Sequence, residues 1–367
     1  MKTSSLIEDK PVAAISQFIE RDQHVLFDRH VRRGRNGEVY FGTRIKLGDE
    51  VVYKFYMAQA GYDSIEEAVI LKGIDHPNIL KIFDLRFLHP HYAYFVTPKI
   101  SGEDLQFILS NKRFSTHEVL NIMEGILKGL TELHSIHKIV HRDLKLGNIL
   151  LDLSSHQPII ADLGTVKKID NVNGGTTASQ STFLYLPPEA VLRNEYYFQS
   201  DIYQVGVMMF QLLGGYFPID ETEKFLTSKE LKQNTLIRNS EDRAKHFDDL
   251  ISNKISKGKL LDVSTLPEYL DTSFIKTLKT ATHIDHNKRF ANASLFLKEI
   301  HQLQRKCPNY LEDGDSLLIQ HSDGKEYKVY KNHKNEIVLE KKSGINWRKD
   351  NSHDGSLNSV MSVARKK

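Results

Sequence analysis

Two carboxylates and one amide near the middle of the chain have the residue types and the spacing for chemistry on phosphate. Asp143 and Asn148 lie in the run HRDLKLGN, residues 141–148, and Asp162 follows fourteen residues after Asn148. Carboxylate and amide oxygens suit a magnesium–phosphate site, because Mg²⁺ keeps several waters and accepts few protein groups. If the reaction is phosphoryl transfer, Asp143 would take the proton of the incoming hydroxyl, and Asn148 and Asp162 would hold magnesium on the nucleotide.

These residues resemble the catalytic loop and the metal-binding loop of the eukaryotic-type, or Hanks-type, protein kinases. A lone His-Arg-Asp triplet is most simply a solvated turn, but eight matching residues followed at the family spacing by the Asp-Leu-Gly run 162–164 favour the functional interpretation. Lys145, two residues after Asp143, resembles the serine/threonine-kinase signature, which implies that it neutralises charge on the moving phosphoryl group. Thr182, shortly before a Pro-Pro-Glu run, fits the same class.

The resemblance also implies an ATP site in the N-terminal third of the chain. Lys54, in an alternating stretch that predicts a strand, matches the family's catalytic lysine, and Glu67 on a predicted helix (64–74) is its expected ion-pair partner. The glycine-rich loop is incomplete, because Arg32 occupies the first of its three glycine positions. The implied cofactors are ATP and Mg²⁺. The implied nucleotide-binding residues are Gly34, Gly37, Val39, Val52, Lys54, Thr97, Pro98, Ile100 and Leu150.

Three further features of the sequence predict structural roles in the second half of the resemblance. Ser115 with Glu118 three residues later predicts a capping box at the start of a long helix. By resemblance, Glu189 and Arg289 are expected to form a buried ion pair, and Asp201 is expected to hold the backbone of the catalytic loop. These residues are interpreted as structural and not catalytic.

The resemblance implies an α+β, bilobal protein-kinase-like fold with a small β-rich N-lobe and a larger helical C-lobe. It covers a predicted kinase domain at residues 28–305. Beyond it, three short strand-like runs predict a small β-rich extension, and a final polar stretch that is poor in aromatic residues predicts disorder. The predicted segments are an N-terminal extension (1–27), the N-lobe (28–97), a hinge (98–102), the C-lobe (103–305), the β-rich extension (306–348) and a disordered tail (349–367).

Composition sets limits on compartment and partners. The chain has 367 residues, and its net charge of +3 is too small to predict nucleic acid or membrane as a main partner. The single cysteine, Cys307, allows no intramolecular disulfide, and residues 1–10 lack the apolar core of a secretory signal. These features predict a cytoplasmic protein, with a bacterial protein delivered into a host cell left open. They do not indicate an oligomeric state.

The sequence therefore predicts an ATP-dependent protein kinase that phosphorylates Ser or Thr hydroxyls of protein substrates, with Asp143 as base. Residues 171–182, rich in Gly, Ser and Thr, are a candidate for autophosphorylation, and an unmodified loop is an equal alternative. A pseudokinase or scaffold module is the alternative function, supported by Arg32 and Val52 in the nucleotide site. A small-molecule or lipid phosphotransferase is a third hypothesis, and Thr182 with the Pro-Pro-Glu run argues against it.

Overall fold

The structure, a computed structural model, describes residues 14–33, 37–57, 70–89, 92–169, 176–177 and 183–365. Its N-terminal part contains a five-stranded antiparallel sheet in the order β1-β2-β3-β5-β4. The strands are β1 (Val25–Arg33), β2 (Gly37–Arg44), β3 (Glu50–Met57), β4 (Asp84–His89) and β5 (Tyr92–Pro98). The predicted strand around Lys54 is therefore the central strand β3.

One face of this sheet is covered by helix α1, residues 14–21. The Phe18 ring lies 4.9–6.1 Å from the rings of Tyr53, Phe55 and Tyr94, centroid to centroid. Because side chains alternate along a strand, burying Tyr53 and Phe55 under α1 turns Lys54 to the opposite face. The hydrophobic packing on one face of the sheet thus determines which residues of β3 face the nucleotide site.

The C-lobe is built around a long buried helix, α5. All of its residues except Gln199 are buried, so it forms the core against which the other helices pack. The predicted capping box of Ser115 and Glu118 is confirmed at the start of α3, which continues into a π-helical turn over Glu132–Ile136. The helices are α2 (Leu105–Asn111), α3 (Thr116–Thr131), α4 (Pro188–Arg193), α5 (Phe198–Leu212), α6 (Ser228–Thr235), α7 (Ser240–Ser256), α8 (Thr272–Ala281) and α9 (Ala293–Lys306).

Short strands between β5 and α5 position the predicted catalytic residues. They form a three-stranded sheet, β6-β8-β9, and two two-stranded pairs, β7 with β10 and β11 with β12. Residues 141–148 lie between β7 and β8, and Asp162 lies two residues after the end of β9. The strands are β6 (Gly102–Asp104), β7 (Ile139–Val140), β8 (Ile149–Asp152), β9 (Pro158–Ile160), β10 (Lys167–Lys168), β11 (Thr176–Thr177) and β12 (Glu195–Tyr196).

The C-terminal extension is a five-stranded antiparallel meander in chain order. Its three middle strands contain the three predicted runs, whereas its first and last strands were not predicted. Within the described ranges, every helix is too short or too polar to cross a lipid bilayer. The strands are β13 (Asn309–Asp313), β14 (Ser316–Gln320), β15 (Glu326–Lys331), β16 (Ile337–Ser343) and β17 (Asn346–Asp350).

The prediction of a disordered tail at 349–367 is wrong for the described residues, which end at Arg365. Strand β17 runs to Asp350, and helix α10 (Leu357–Ala364) follows it. Val360, Met361 and Ala364 of α10 are at most 2% exposed and belong to the same hydrophobic core as the C-lobe. Burial of this narrow apolar face outweighs the polar composition that predicted disorder.

Hydrogen bonds join the extension to the C-lobe. The Tyr310 hydroxyl donates to Asp271 Oδ2 at 2.7 Å, and the Tyr310 amide donates to Thr116 Oγ1 at 2.9 Å. Arg365, after α10, donates through Nη2 to the carbonyl of Tyr269 at 2.7 Å. The meander and α10 are therefore packed on the helices of the C-lobe.

Met361→Asp is expected to undock α10, because a carboxylate would replace an apolar side chain that is 2% exposed. Limited proteolysis should then cleave the chain after Asp350 about tenfold faster or more, since opening of this segment costs less free energy. Ser362→Asp places the same charge on the exposed neighbouring position and serves as the control. Equal cleavage rates in the two variants would contradict the docking of α10.

Candidate active site

Asp201 at the start of α5 holds the predicted catalytic loop by its backbone. Its carboxylate accepts from the amides of His141 (Oδ2, 2.8 Å) and Arg142 (Oδ1, 3.0 Å). Arg142 has a left-handed backbone with φ of 69°, a conformation that costs a non-glycine residue about 1–2 kcal/mol. Two charge-assisted hydrogen bonds offset this cost. The structure thus places Asp201 where the sequence predicted it.

His134, a buried residue for which the sequence predicts no function, supports Asp201. Its Nε2 lies 2.8 Å from Asp201 Oδ2, and its ring packs 4.8 Å from that of Phe198. Burial by itself would raise the pKa of Asp201, but the hydrogen bond and charge of His134 act against burial, and the net pKa is lowered. The carboxylate therefore stays ionised and keeps its full strength as an acceptor. A lone histidine on an apolar helix face gives no signal of this role.

Asp143, Lys145 and Asn148 come together as predicted. Lys145 Nζ lies 2.9 Å from Asp143 Oδ2. Asn148 Nδ2 donates to the Asp143 carbonyl at 2.7 Å and to Asp143 Oδ2 at 2.9 Å. Because both amide hydrogens point to Asp143, Oδ1 of Asn148 is the atom that remains to bind a cation. The Asp143 carboxylate is thus oriented by two donors and is only 7% exposed.

Asp162 and Lys54 join the two lobes across the cleft. Asp162 has a left-handed backbone (φ 57°, ψ 61°), and its Oδ1 is ion-paired with Lys54 Nζ. Burial by itself would raise the pKa of Asp162, but the charge and hydrogen bond of Lys54 lower it below its ordinary value. The carboxylate is therefore ionised, as a metal ligand must be. Glu67, the predicted partner of Lys54, lies outside the described residues.

Further hydrogen bonds connect the catalytic loop to the segment around Asp162. His141 donates from Nε2 to the carbonyl of Ala161 at 3.1 Å, and its Nδ1 accepts from the Asp143 amide at 3.4 Å. Arg142 Nε donates to the carbonyl of Thr165 at 2.6 Å. These bonds fix the distance between the predicted base and the predicted metal ligand.

Four of the predicted nucleotide-binding residues share one face of the N-lobe sheet. Val39 pairs with Lys54, and Val52 pairs with Thr97, across β2, β3 and β5. Paired residues and residues two apart share a sheet face. Leu150 lies on β8 of the C-lobe, later in the chain. Pro98 ends β5, Ile100 follows it, Gly37 begins β2, and Gly34 lies outside the described residues.

The side chains present fit a nucleotide with a divalent cation. Asn148 Oδ1 and the Asp162 carboxylate are hard oxygen ligands, and the Lys54 ammonium suits phosphate oxygens. Among the described residues, no three His, Cys, Asp or Glu side chains are close enough to hold a metal ion by themselves. A cation at this site would therefore share its coordination with phosphates and water, which is the binding mode that Mg²⁺ prefers.

Comparison with known proteins decides the family. A family model described as "Protein kinase domain" matches residues 27–302 of the chain. This chain belongs to the protein kinase family. The predicted family and the predicted fold class are confirmed.

Relatives of this kinase occur in a plant, a bacterium and an amoeba. It is 31% identical over 214 residues to "Cysteine-rich receptor-like protein kinase 18" of Arabidopsis thaliana, covering 55% of this chain and 31% of that protein. It is 32% identical over 201 residues to "Probable serine/threonine-protein kinase PknB" of Lactococcus lactis (52% and 32% covered). It is 30% identical over 203 residues to "Serine/threonine-protein kinase atg1" of Dictyostelium discoideum (52% and 30% covered). The kinase thus spans about a third of the length of each relative.

The predicted buried ion pair of the kinase C-lobe is present. Arg289 Nη2 lies 2.7 Å from Glu189 Oε2, and Nη1 lies 2.8 Å from Oε1, with the two side chains 0% and 1% exposed. Burial by itself would raise the pKa of Glu189, but the hydrogen bonds and charge of Arg289 lower it below its ordinary value. This bidentate pair ties the start of α4 to the loop before α9.

Two residues of the predicted autophosphorylation segment (171–182, here called the activation segment) take part in a strand pair. Thr176 and Thr177 form β11, which pairs with Glu195 and Tyr196 of β12. The rest of the predicted autophosphorylation segment, and Thr182, lie outside the described residues. The described part of the segment is thus connected by its backbone to the residues just before α5.

Proposed function

We propose that this protein transfers the γ-phosphate of ATP to serine or threonine hydroxyls of protein substrates. The observation that supports this most is the Asp143 carboxylate, which Lys145 and Asn148 hold in a loop that His141 and Arg142 join by hydrogen bonds to the segment of Asp162. A buried, oriented carboxylate beside a lysine and two hard oxygen ligands is suited to activating a hydroxyl next to a polyphosphate.

In this mechanism the side chains position the reactants and stabilise charge. Asp143 orients the substrate hydroxyl and accepts its proton, while the hydroxyl oxygen forms a bond to the γ-phosphorus and the bond to the β-phosphate oxygen breaks, releasing ADP. Lys145 neutralises charge on the transferred group, and Lys54 holds the α- and β-phosphates. Mg²⁺, held by Asn148 and Asp162, would neutralise phosphate charge when bound.

Phosphorylation within residues 171–182 is part of the proposal. It is supported by the hydroxyl-rich composition of this segment and by Arg142, which stands next to the base and offers a cation for a phosphate. A phosphate there would accept charge-assisted hydrogen bonds from nearby cations.

The test is incubation of the purified chain with Mg²⁺ and ATP, alone and with a generic basic protein, followed by phosphosite mapping by mass spectrometry. We expect phosphoserine and phosphothreonine that are absent in the Asp143→Asn variant prepared in parallel. Transfer to tyrosine would contradict the serine/threonine class. ATP binding without any transfer would instead support the pseudokinase alternative.

A further inference from the structure

Gln204, a buried polar residue of α5, lies directly beneath the catalytic loop and has no role in the mechanism above. Its side chain is 0% exposed. Its Oε1 accepts from the amide of Leu144 at 2.9 Å, and its Nε2 lies 3.5 Å from the carbonyl of Arg142. Because Asp143 stands between these two residues, a single side-chain amide contacts the peptide groups on both sides of the base.

The orientation of the Gln204 amide is determined by its partners. The Leu144 N–H can only donate, so the side-chain oxygen must face it, which turns Nε2 towards the Arg142 carbonyl. The Tyr196 hydroxyl donates its one hydrogen to two acceptors, Asp201 Oδ1 at 2.7 Å and Gln204 Oε1 at 2.8 Å. Tyr196, Asp201 and Gln204 are each fully buried and form one network.

Asp201 and Gln204 bind different parts of the catalytic loop. Asp201 holds the amides of His141 and Arg142, before the base, whereas Gln204 holds the amide of Leu144, after it. Both side chains come from one face of the same helix, since they are three residues apart. The left-handed Arg142 and the peptide after Asp143 are therefore fixed to one rigid element.

Tyr196 brings a second element into the network. It lies on β12, where its backbone pairs with Thr176 of the activation segment. The strand pair therefore holds the backbone of Tyr196, and its hydroxyl contacts the carbonyl end of Gln204. A short chain of contacts thus runs from the activation segment to the peptide after Asp143.

We propose that Gln204 is a positioning residue for phosphoryl transfer, which together with Tyr196 fixes the peptide groups that flank Asp143 and so aims its carboxylate at the substrate hydroxyl. The inference rests on the proposed function. It predicts an effect on the chemical step and little effect on nucleotide binding, because Lys54 and Asp162 hold their places through contacts that do not involve Gln204.

The Gln204→Met variant tests this proposal, because methionine has a similar length but neither donates nor accepts strongly. We expect kcat to fall roughly ten- to a hundredfold, as expected for a displaced catalytic group, with the KM for ATP changed less than about twofold. The Leu144 amide should exchange its hydrogen faster in this variant. Tyr196→Phe should lower kcat less, and adding it to Gln204→Met should lower kcat little further, because the two side chains act as one unit.

Met209→Ala is the matched control for stability. Met209 is a buried residue of α5 that lies about 140° around the helix from Gln204. Gly206, three residues earlier, lies on the same side of α5 as Met209. A Cβ added at Gly206 would come 2.7 Å from Thr282 and 2.9 Å from Ala281, so this side of the helix packs against those two residues. We expect this variant to melt at a lower temperature but to keep the kcat and the Leu144 exchange rate of the wild type when measured below its melting temperature.

A kcat of Gln204→Met within twofold of the wild type would overturn the proposal, as would an equal loss of kcat in Met209→Ala. If Gln204→Met fails to fold, the Tyr196→Phe variant tests the proposal instead. An unchanged kcat in Tyr196→Phe would then overturn the proposal. A wild-type protein that binds ATP without transferring phosphate would refute the proposed function instead. In that case the Leu144 amide exchange still shows whether Gln204 holds the loop.

Discussion

Replacing Asp143 with asparagine is expected to lower kcat about 10²- to 10⁴-fold, the range typical for loss of a general base. Asparagine has the same shape but no basic oxygen, and one of its two terminal atoms would be an NH₂ group. Lys145 Nζ and Asn148 Nδ2 both donate to the same oxygen, Oδ2, in the wild type, so the asparagine oxygen can take its place and the NH₂ group would replace Oδ1. The affinity for ATP should change little, because Lys54 and Asp162 are unaltered. Single-turnover transfer with labelled ATP, alongside equilibrium nucleotide binding, separates the two effects.

Asp152→Asn is the matched control for this prediction. Asp152 ends β8 of the same lobe, and its carboxylate accepts from Ser154 and Ser155 in an exposed turn. The same chemical change there should leave kcat within about twofold, as for most surface substitutions. A wild-type kcat in Asp143→Asn would contradict the role of Asp143 as the general base.

Arg289→Met is expected to lower the free energy of unfolding by about 3–5 kcal/mol, because it leaves the Glu189 carboxylate buried without its partner. Both side chains are essentially inaccessible to water, so solvent cannot replace the lost hydrogen bonds. The double variant Glu189→Gln with Arg289→Met removes the unpaired charge and should recover part of the loss. Urea-induced unfolding of the three proteins measures these differences.

The pH dependence of this effect has a definite sign. The folded-state pKa of Glu189 is lowered, so its contribution to stability is fully present above the pKa of an unfolded glutamate and is lost as the pH falls. Without Arg289, burial raises that pKa, and the variant is penalised most when the carboxylate is ionised. The stability difference between wild type and Arg289→Met should therefore be largest near neutral pH and narrow in acid. A difference that widens in acid would contradict the pairing.

An exposed ion pair provides the control for the buried one. Lys325 and Asp323 lie 2.7 Å apart in a turn of the C-terminal meander, with side chains 39% and 42% exposed. Lys325→Met should change the free energy of unfolding by less than about 1 kcal/mol, because water screens such pairs. Comparable losses of unfolding free energy in Lys325→Met and Arg289→Met would mean that burial does not determine the cost of breaking an ion pair.

The sequence alone determined the family, the fold class and the cluster of Asp143, Lys145 and Asn148. These residues are close along the chain, so their types and spacing already limit how they can meet in space. Longer-range pairings, such as Glu189 with Arg289, could be predicted only because the resemblance supplied the partner. Lys54 was predicted in the right strand, and the structure adds its ion pair with Asp162.

Only the tertiary structure decided the roles of His134, Gln204 and α10. A polar residue on an apolar helix face gives the same sequence pattern whether or not it has a distant partner. Gln204 and Leu144 are 60 residues apart, and their contact depends on how α5 packs under the catalytic loop. Helix α10 has eight residues, too few for a helical period to stand out from a polar tail. Its order comes from burial of Val360, Met361 and Ala364, and that free energy exists only once the extension has packed against the C-lobe.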